Sequence, residues 1–280
     1  MWRKRSLKVI APVLAVAAVA GVGLWLHSVD RTAGDTWHSV GTDEPDRVDV
    51  NASVQRVDAV AREVVLRILV VPRGRYGEYE GVAPTLDIRL LNSSSLRGDQ
   101  LFAAHQRISS TDLPLALDSG TVTDYPFDAY RTRIQFAAVH GDDQIPVQLT
   151  LDKVDSLFAV SIQDHDTSNG IGGLDVRFSR SASVLVFAVF MMVAMWALAI
   201  AVLLGARFLV SRRRGMVWPA FGFMAATLFA LAGFRNTAPG SPPIGSLLDY
   251  LAFLWAEAII ALSAVVAVVA GIVAESGTTE

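Results

Sequence analysis

The chain contains no cysteine, and charged residues make up only 18% of its 280 residues. The first absence excludes disulfide bonds, thiolate metal ligands, a cysteine nucleophile and a lipid-modified cysteine. The second, together with a hydrophobic content of 52%, is typical of a membrane protein rather than a soluble domain. The formal net charge of −3 gives no indication of nucleic-acid binding, and we expect none.

Motifs that carry enzymatic chemistry are also missing. The sequence has no P-loop and no GxGxxG, and its five histidines are scattered, without an HxxxH or HxxE pair. We therefore expect no catalytic residue, no metal site, no cofactor and no enzymatic activity. An enzyme acting on lipid or cell-wall substrates stays an alternative, because folding brings distant polar residues together.

Long apolar runs are abundant instead. Four of them, at 9–26, 182–206, 216–234 and 250–274, reach the roughly 17–25 residues that a helix needs to cross about 30 Å of hydrocarbon. The first follows a basic start, 1–8, and is longer than the core of most signal peptides. We interpret it as an uncleaved anchor, with a cleaved signal peptide as the alternative.

The basic residues predict the orientation of these spans in a plasma membrane. They cluster before the first run and, as Arg207, Arg212, Arg213 and Arg214, after the second, and such clusters stay cytoplasmic. Residues 27–181 and the loop 235–249 are then extracytoplasmic. Residues 1–8, the loop 207–215 and the tail 275–280 are cytoplasmic.

The segment between the first two runs has the texture of a β domain. Residues 27–46 are polar and predict a linker, whereas 47–181 contain about seven short segments in which apolar and polar residues alternate. Turn-forming stretches separate these segments. The pattern predicts an immunoglobulin-like β-sandwich, inserted between helix 1 and helix 2 of a four-helix membrane protein.

"DYPFDAY", at 124–130, is the most distinctive motif of this domain. It predicts a corner that launches the next strand, in which a proline restricts the backbone and an aspartate accepts backbone N–H bonds. A ligand-contacting role is the alternative. The candidate residues of this corner motif are Tyr125, Pro126, Phe127, Asp128 and Tyr130.

"DHDTSNGIGGLD", at 164–175, spaces its acidic residues somewhat like a calcium loop. Asn169 stands where the sharp turn of such a loop requires glycine, and the flanks read as strands. A polar loop between two strands is the better interpretation.

The extracytoplasmic loop 235–249 combines prolines and glycines with a charged residue at each end. Prolines restrict φ and remove N–H donors, and glycines permit turns that other residues resist, so the loop predicts a compact, stiff hairpin. Such loops lose little entropy on binding. The candidate residues are Arg235, Asn236, Pro239, Gly240, Pro242, Pro243, Gly245 and Asp249, with Glu257 in the helix that follows.

Glu257 stands inside an apolar run, where a carboxylate is costly and usually has a partner. We expect Glu257 or Asp249 to pair with Arg235 and so to latch the third helix to the fourth. The alternatives are a contact with another subunit or a lipid head group, and coupling to a proton or ion.

The hairpin sequence "RNTAPGSPPIGSLLDYLAFLWAE" and "DYPFDAY" resemble the two signatures of a family of actinobacterial, largely mycobacterial, membrane proteins described as "domain of unknown function 4436". The resemblance implies an integral plasma-membrane protein, with no assigned enzymatic activity, in a lipid-rich cell envelope.

Together these observations favour a non-catalytic membrane protein that belongs to a membrane protein complex or an oligomer. Its outer β domain and hairpin would bind a partner complex, an envelope lipid or a cell-wall component. An accessory role in cell-envelope or lipid transport is one form of this hypothesis. The alternative is a channel or transporter subunit that uses Glu257.

Overall fold

A computed structural model describes residues 38–153, 155–166, 171–212 and 215–276, and in addition a few isolated positions nearer the N-terminus. The predicted segments 1–8 and 9–26 lie outside these ranges, as do most of the predicted linker and residues 277–280 of the predicted tail. The described residues divide into two compact units. The β-rich unit comprises those up to Thr121 together with Ala129–Ser183, and the helical unit comprises Val122–Asp128 and Val184–Glu280.

Thirteen strands are present in the described part of the chain. In order they are β1 (His38–Gly41), β2 (Val48–Asp58), β3 (Glu63–Pro72), β4 (Gly77–Glu78), β5 (Ala83–Pro84), β6 (Ile88–Asn92), β7 (Gln100–Phe102), β8 (Thr111–Ala116), β9 (Ala129–His140), β10 (Asp143–Ile145), β11 (Val147–Lys153), β12 (Phe158–Asp166) and β13 (Gly172–Arg180).

Two sheets contain most of these strands. The first has the order β1-β11-β2-β3-β8 and the second the order β12-β13-β9-β6-β7, with β10 paired to β9. Neighbours are antiparallel except β11 and β2, which run parallel in the register Val147 to Val48. β4 and β5 form a separate two-stranded ribbon.

The two sheets bury alternate residues, as the period of a strand requires. On β9, for example, Tyr130, Ile134 and Phe136 are almost completely buried. Gly172 of β13 approaches β11 so closely that an added Cβ would lie 3.1 Å from the Cβ of Leu149. The predicted β-sandwich-like pair of sheets is thus confirmed, whereas its immunoglobulin-like connectivity stays a prediction.

The first strand begins inside the segment that the sequence assigns to a linker. β1 pairs with β11 from His38 to Gly41, within the predicted linker 27–46. The strand is four residues long and buries only Val40, so its sequence carries almost no alternation that a pattern could reveal.

Three long helices follow the sheets: α1 (Ala182–Ser211), α2 (Trp218–Asn236) and α3 (Leu254–Ser276), the last preceded by a π-helical turn at Asp249–Phe253. Within the described residues two helices, Ala182–Ser211 and Asp249–Ser276, are long and apolar enough to cross a membrane. The described residues therefore contain two of the three spanning helices that the sequence places among them, and the predicted span 9–26 lies outside them. α2 falls short because Trp218 and Pro219 at its start and Arg235 and Asn236 at its end dilute its apolar centre.

The helical unit has its large apolar side chains on the outside. The buried positions of α3 carry mostly small side chains, at Ala256, Ser263, Ala267 and Gly271. Its exposed positions include Trp255 and Ile272, which are 59% and 54% exposed. α1 also exposes large apolar side chains, such as Phe187 and Phe190, but it buries Met191 and Met195 beside its alanines. Helices that pack through small residues and expose large apolar ones are typical of a lipid environment.

Candidate functional site

The strongest polar constellation of the helical unit closes the hairpin 235–249. Arg235, in the last turn of α2, directs Nε and Nη2 to the two carboxylate oxygens of Asp249, each at 2.8 Å. The same guanidinium donates to the carbonyl oxygens of Pro242 at 3.0 Å and Pro243 at 2.9 Å. The two charged side chains are 8% and 2% exposed. We call this arrangement the clamp.

Asp249 accepts further hydrogen bonds from the loop that it closes. Its Oδ2 receives the backbone N–H of Gly245 at 2.8 Å and of Ser246 at 3.2 Å, and the Ser246 hydroxyl at 3.3 Å. A buried carboxylate is costly unless it is paired and hydrogen-bonded. Because Arg235 and these donors surround it, both buried charges of the clamp are satisfied.

The prolines and glycines of the hairpin have separate roles in this geometry. Pro242 and Pro243 have no N–H that would need a partner, and their carbonyls accept from Arg235. Gly240 and Gly245 have φ values of +76° and +92°, a region that side chains disfavour. Pro239 is half-buried and Asn236, the last residue of α2, is exposed, and neither is among the residues hydrogen-bonded within the clamp.

Glu257 is not part of the clamp. Of the two carboxylates that we considered as partners of Arg235, the structure pairs Asp249 with it. Glu257 lies eight positions further along, which is about 12 Å of helix. It is half-buried, and no residue that the structure describes forms a hydrogen bond or ion pair with it.

The corner segment Val122–Asp128 belongs to the helical unit, although it lies between β8 and β9 in the sequence. It begins with a 3-10 turn at Val122–Asp124, and its Tyr125–Pro126 peptide bond is cis. Tyr125 is completely buried, and its carbonyl oxygen accepts the backbone N–H of Leu248 at 3.2 Å. The two motifs that we singled out in the sequence therefore meet.

The other residues of the corner motif differ in their surroundings. Phe127 is 55% exposed, whereas Asp128 is 2% exposed. Tyr130 belongs to the β-rich unit, where its ring meets that of Phe158 edge to face at a centroid distance of 6.0 Å. Sequence reasoning grouped these residues as one motif, and the structure divides them between two units.

Two contacts of the helical unit were missed by sequence reasoning. The indole of Trp196 on α1 donates to the carbonyl oxygen of Leu251, inside the π-helical turn, at 3.0 Å. At the far end of the helix pair, Glu275 accepts the backbone N–H of Met216 at 2.7 Å. The signals of these contacts in the sequence were a tryptophan in the middle of the run 182–206 and a glutamate directly after the run 250–274.

The calcium-like spacing at 164–175 does not produce a metal site in the described residues. No group of three or more potential ligands is found among them. Asp175 is instead engaged by Arg133, whose Nε and Nη2 lie 2.6 and 3.0 Å from its carboxylate oxygens.

Comparison with known protein families assigns the two parts of the chain. Residues 38–179, just over half of the chain, match the family described as "Domain of unknown function (DUF4436)". The chain belongs to this family. Residues 180–274 match a second one, "Domain of unknown function (DUF8686)". No curated protein matches the chain.

The boundary between the two families falls where β13 ends and α1 is about to begin. The resemblance to DUF4436 is thus confirmed, with one correction. Of the two motifs that suggested it, "DYPFDAY" lies in the range of DUF4436, whereas the hairpin lies in the range of DUF8686. The hydrogen bond between Leu248 of the hairpin and Tyr125 consequently joins residues from both matched ranges.

Proposed function

We propose that the protein is a non-catalytic integral plasma-membrane protein whose β-rich unit and hairpin bind a partner complex or an envelope component. An accessory role in cell-envelope or lipid transport is part of this proposal. So are the four-span topology with cytoplasmic termini and the immunoglobulin-like connectivity of the sheets. Two apolar helices and their outward-facing large side chains support membrane integration.

The observation that carries the proposal is the exposure of Ile244, an apolar residue of the hairpin. This isoleucine is 90% exposed, yet it stands between Pro243 and Gly245, whose backbone groups are both hydrogen-bonded to the clamp. An apolar side chain on a loop that is already ordered loses little conformational entropy when a partner covers it. The hairpin therefore has the properties of a docking surface.

Co-purification from native membranes tests this function. The full-length protein would be isolated in mild detergent, as wild type and as Ile244→Ser, and its associated proteins and lipids quantified by mass spectrometry. Leu101→Ser is the matched control, because Leu101 is an apolar side chain on β7 that is 70% exposed. We expect a reproducible partner that is lost in Ile244→Ser and kept in Leu101→Ser. A monomer without associated protein or lipid would contradict the proposal.

A channel or transporter subunit is the second candidate, and the position of Glu257 favours it. This carboxylate is half-buried in an apolar helix and is not occupied by the clamp. Ionisable residues at such positions mark ion pathways in many membrane proteins. Flux in proteoliposomes that disappears in Glu257→Gln would support this candidate, and the absence of flux under any imposed gradient would remove it.

A further inference from the structure

A cleft of about 520 Å³ lies between α1 and α3. This volume is within the range of about 300–1,000 Å³ that is typical of small-molecule sites. Its lining is largely aliphatic, with Leu203 and Val210 contributed by α1 and Ile259 and Leu262 by α3. An aliphatic cleft between two apolar helices fits a hydrocarbon chain.

The cleft also contains a cation and a hydroxyl, Arg207 on α1 and Ser263 on α3. The hydrogen bond from Trp196 to Leu251 gives one point at which the two helices are linked. Arg207 follows Trp196 by 11 residues and Ser263 follows Leu251 by 12, so each lies about 17–18 Å along its helix from that contact. The two polar groups are therefore at nearly the same level.

The Ser263 hydroxyl is a second observation, independent of the shape of the cleft, that points to a binding site. Ser263 is 5% exposed, and its Oγ has no hydrogen-bond partner among the residues that the structure describes. Buried hydroxyl groups are nearly always hydrogen-bonded, and an unpaired one destabilises the fold. An oxygen atom of a ligand in the cleft would accept this hydrogen bond.

We propose that this cleft binds one anionic phospholipid of the bilayer. An acyl chain would lie along Leu203, Ile259 and Leu262. The Ser263 hydroxyl would donate to an ester carbonyl oxygen of the lipid, and the longer Arg207 side chain would extend to its phosphate. Arg207 belongs to the basic cluster that predicts the cytoplasmic side, and the cytoplasmic leaflet is the anionic one. The inference deepens the proposed function and rests on its membrane integration.

Lipid retention by the full-length protein tests the inference. Protein in detergent would be incubated with phosphatidylglycerol or with phosphatidylcholine of the same acyl chains, and native mass spectrometry would count the lipids retained. We expect one phosphatidylglycerol to be retained in preference to phosphatidylcholine. Arg207→Gln should weaken this retention about tenfold, the effect of one charge-assisted hydrogen bond. Arg207→Lys should keep most of it, and Ser263→Leu, which fills the cleft, should abolish retention of both lipids.

Arg212→Gln is the matched control. It removes the same charge five residues after Arg207, at a residue that does not line the cleft. If Arg212→Gln and Arg207→Gln lost the same amount of phosphatidylglycerol, the lipid would be held by general positive charge rather than by the cleft, and the proposal would be overturned. Equal retention of the two lipids by the wild type would overturn it too. Retention of no lipid by a dimeric wild type would assign the cleft to a second copy of the chain and overturn it as well.

Carbonate extraction of membranes separates this inference from the function on which it rests. Release of the wild-type protein by carbonate would contradict membrane integration, and both proposals would fall. A protein that resists extraction but shows no lipid preference would contradict the cleft alone. The co-purification experiment with Ile244→Ser does not depend on which lipid the cleft retains, so it tests the proposed function separately.

Discussion

Replacing Arg235 by methionine should be the most destabilising change of a single charged residue in the helical unit. Methionine replaces the aliphatic part of the side chain and removes the guanidinium that pairs with Asp249 and binds two proline carbonyls. Breaking a buried ion pair by removing one partner costs about 3–5 kcal/mol, because the other charge stays buried. For a chain of this size that corresponds to a decrease in Tm of about 6–20 °C.

A double-mutant cycle distinguishes the pair from its two members. Asp249→Asn should be milder than Arg235→Met, because the amide oxygen still accepts from the loop and Arg235 keeps the carbonyls of Pro242 and Pro243. The double variant should be more stable than the sum of the single effects predicts, with a coupling of about 0.5–3 kcal/mol. Thermal unfolding of the detergent-purified protein, followed by intrinsic fluorescence, gives all four Tm values.

The matched control is Arg67→Met in the β-rich unit. Arg67 binds Asp112 with the same two-pronged geometry, at 2.9 and 3.3 Å, but about half of each side chain is exposed. Water and salt screen such pairs, so its loss should change Tm far less. Equal shifts in Arg67→Met and Arg235→Met, or a strictly additive cycle, would refute the reasoning that burial makes the clamp important.

Three smaller predictions use the same thermal assay. Tyr125→Ala should cost about 3–5 kcal/mol because it empties a completely buried site, whereas Phe127→Ala, at a side chain that is 55% exposed, should change Tm little; equal shifts would contradict the burial of Tyr125. Trp196→Phe removes the indole donor to Leu251 and should cost about 0.5–1.5 kcal/mol; an unchanged Tm would show that this bond contributes nothing. Gly120→Ala should lower the free energy of unfolding by more than about 1 kcal/mol, since φ is +107° and the new Cβ would lie 2.4 Å from a backbone oxygen. An unchanged Tm would contradict this backbone conformation of Gly120.

The clamp was predictable because all the residues that form it lie within 235–249. Prolines, glycines and two opposite charges close together in sequence leave few arrangements open. The choice of Asp249 over Glu257 was also within reach, because eight helical residues separate the two carboxylates by about 12 Å. Composition and charge alone leave both carboxylates open as partners, and only the helical rise, compared with the reach of the Arg235 side chain, separates them.

The contact between Tyr125 and Leu248 was not predictable in the same way. More than a hundred residues separate them, and no periodicity of the sequence refers to a pairing at that distance. The short strand β1 escaped for a different reason, because a single buried residue, Val40, gives no pattern. Sequence patterns report the period of an element, whereas they do not report which distant segment completes a packed unit.

The discontinuity of the helical unit has a consequence for the order in which the protein is assembled during synthesis. Arg235 and Asp249 are 14 residues apart, so both partners of the clamp are synthesised within a short interval. Tyr125 is synthesised much earlier than Leu248, the residue whose backbone N–H it accepts, because more than a hundred residues separate the two. The corner segment therefore has to be kept accessible while β9 to β13 are made, and a chain truncated before the hairpin would leave Tyr125 without its partner.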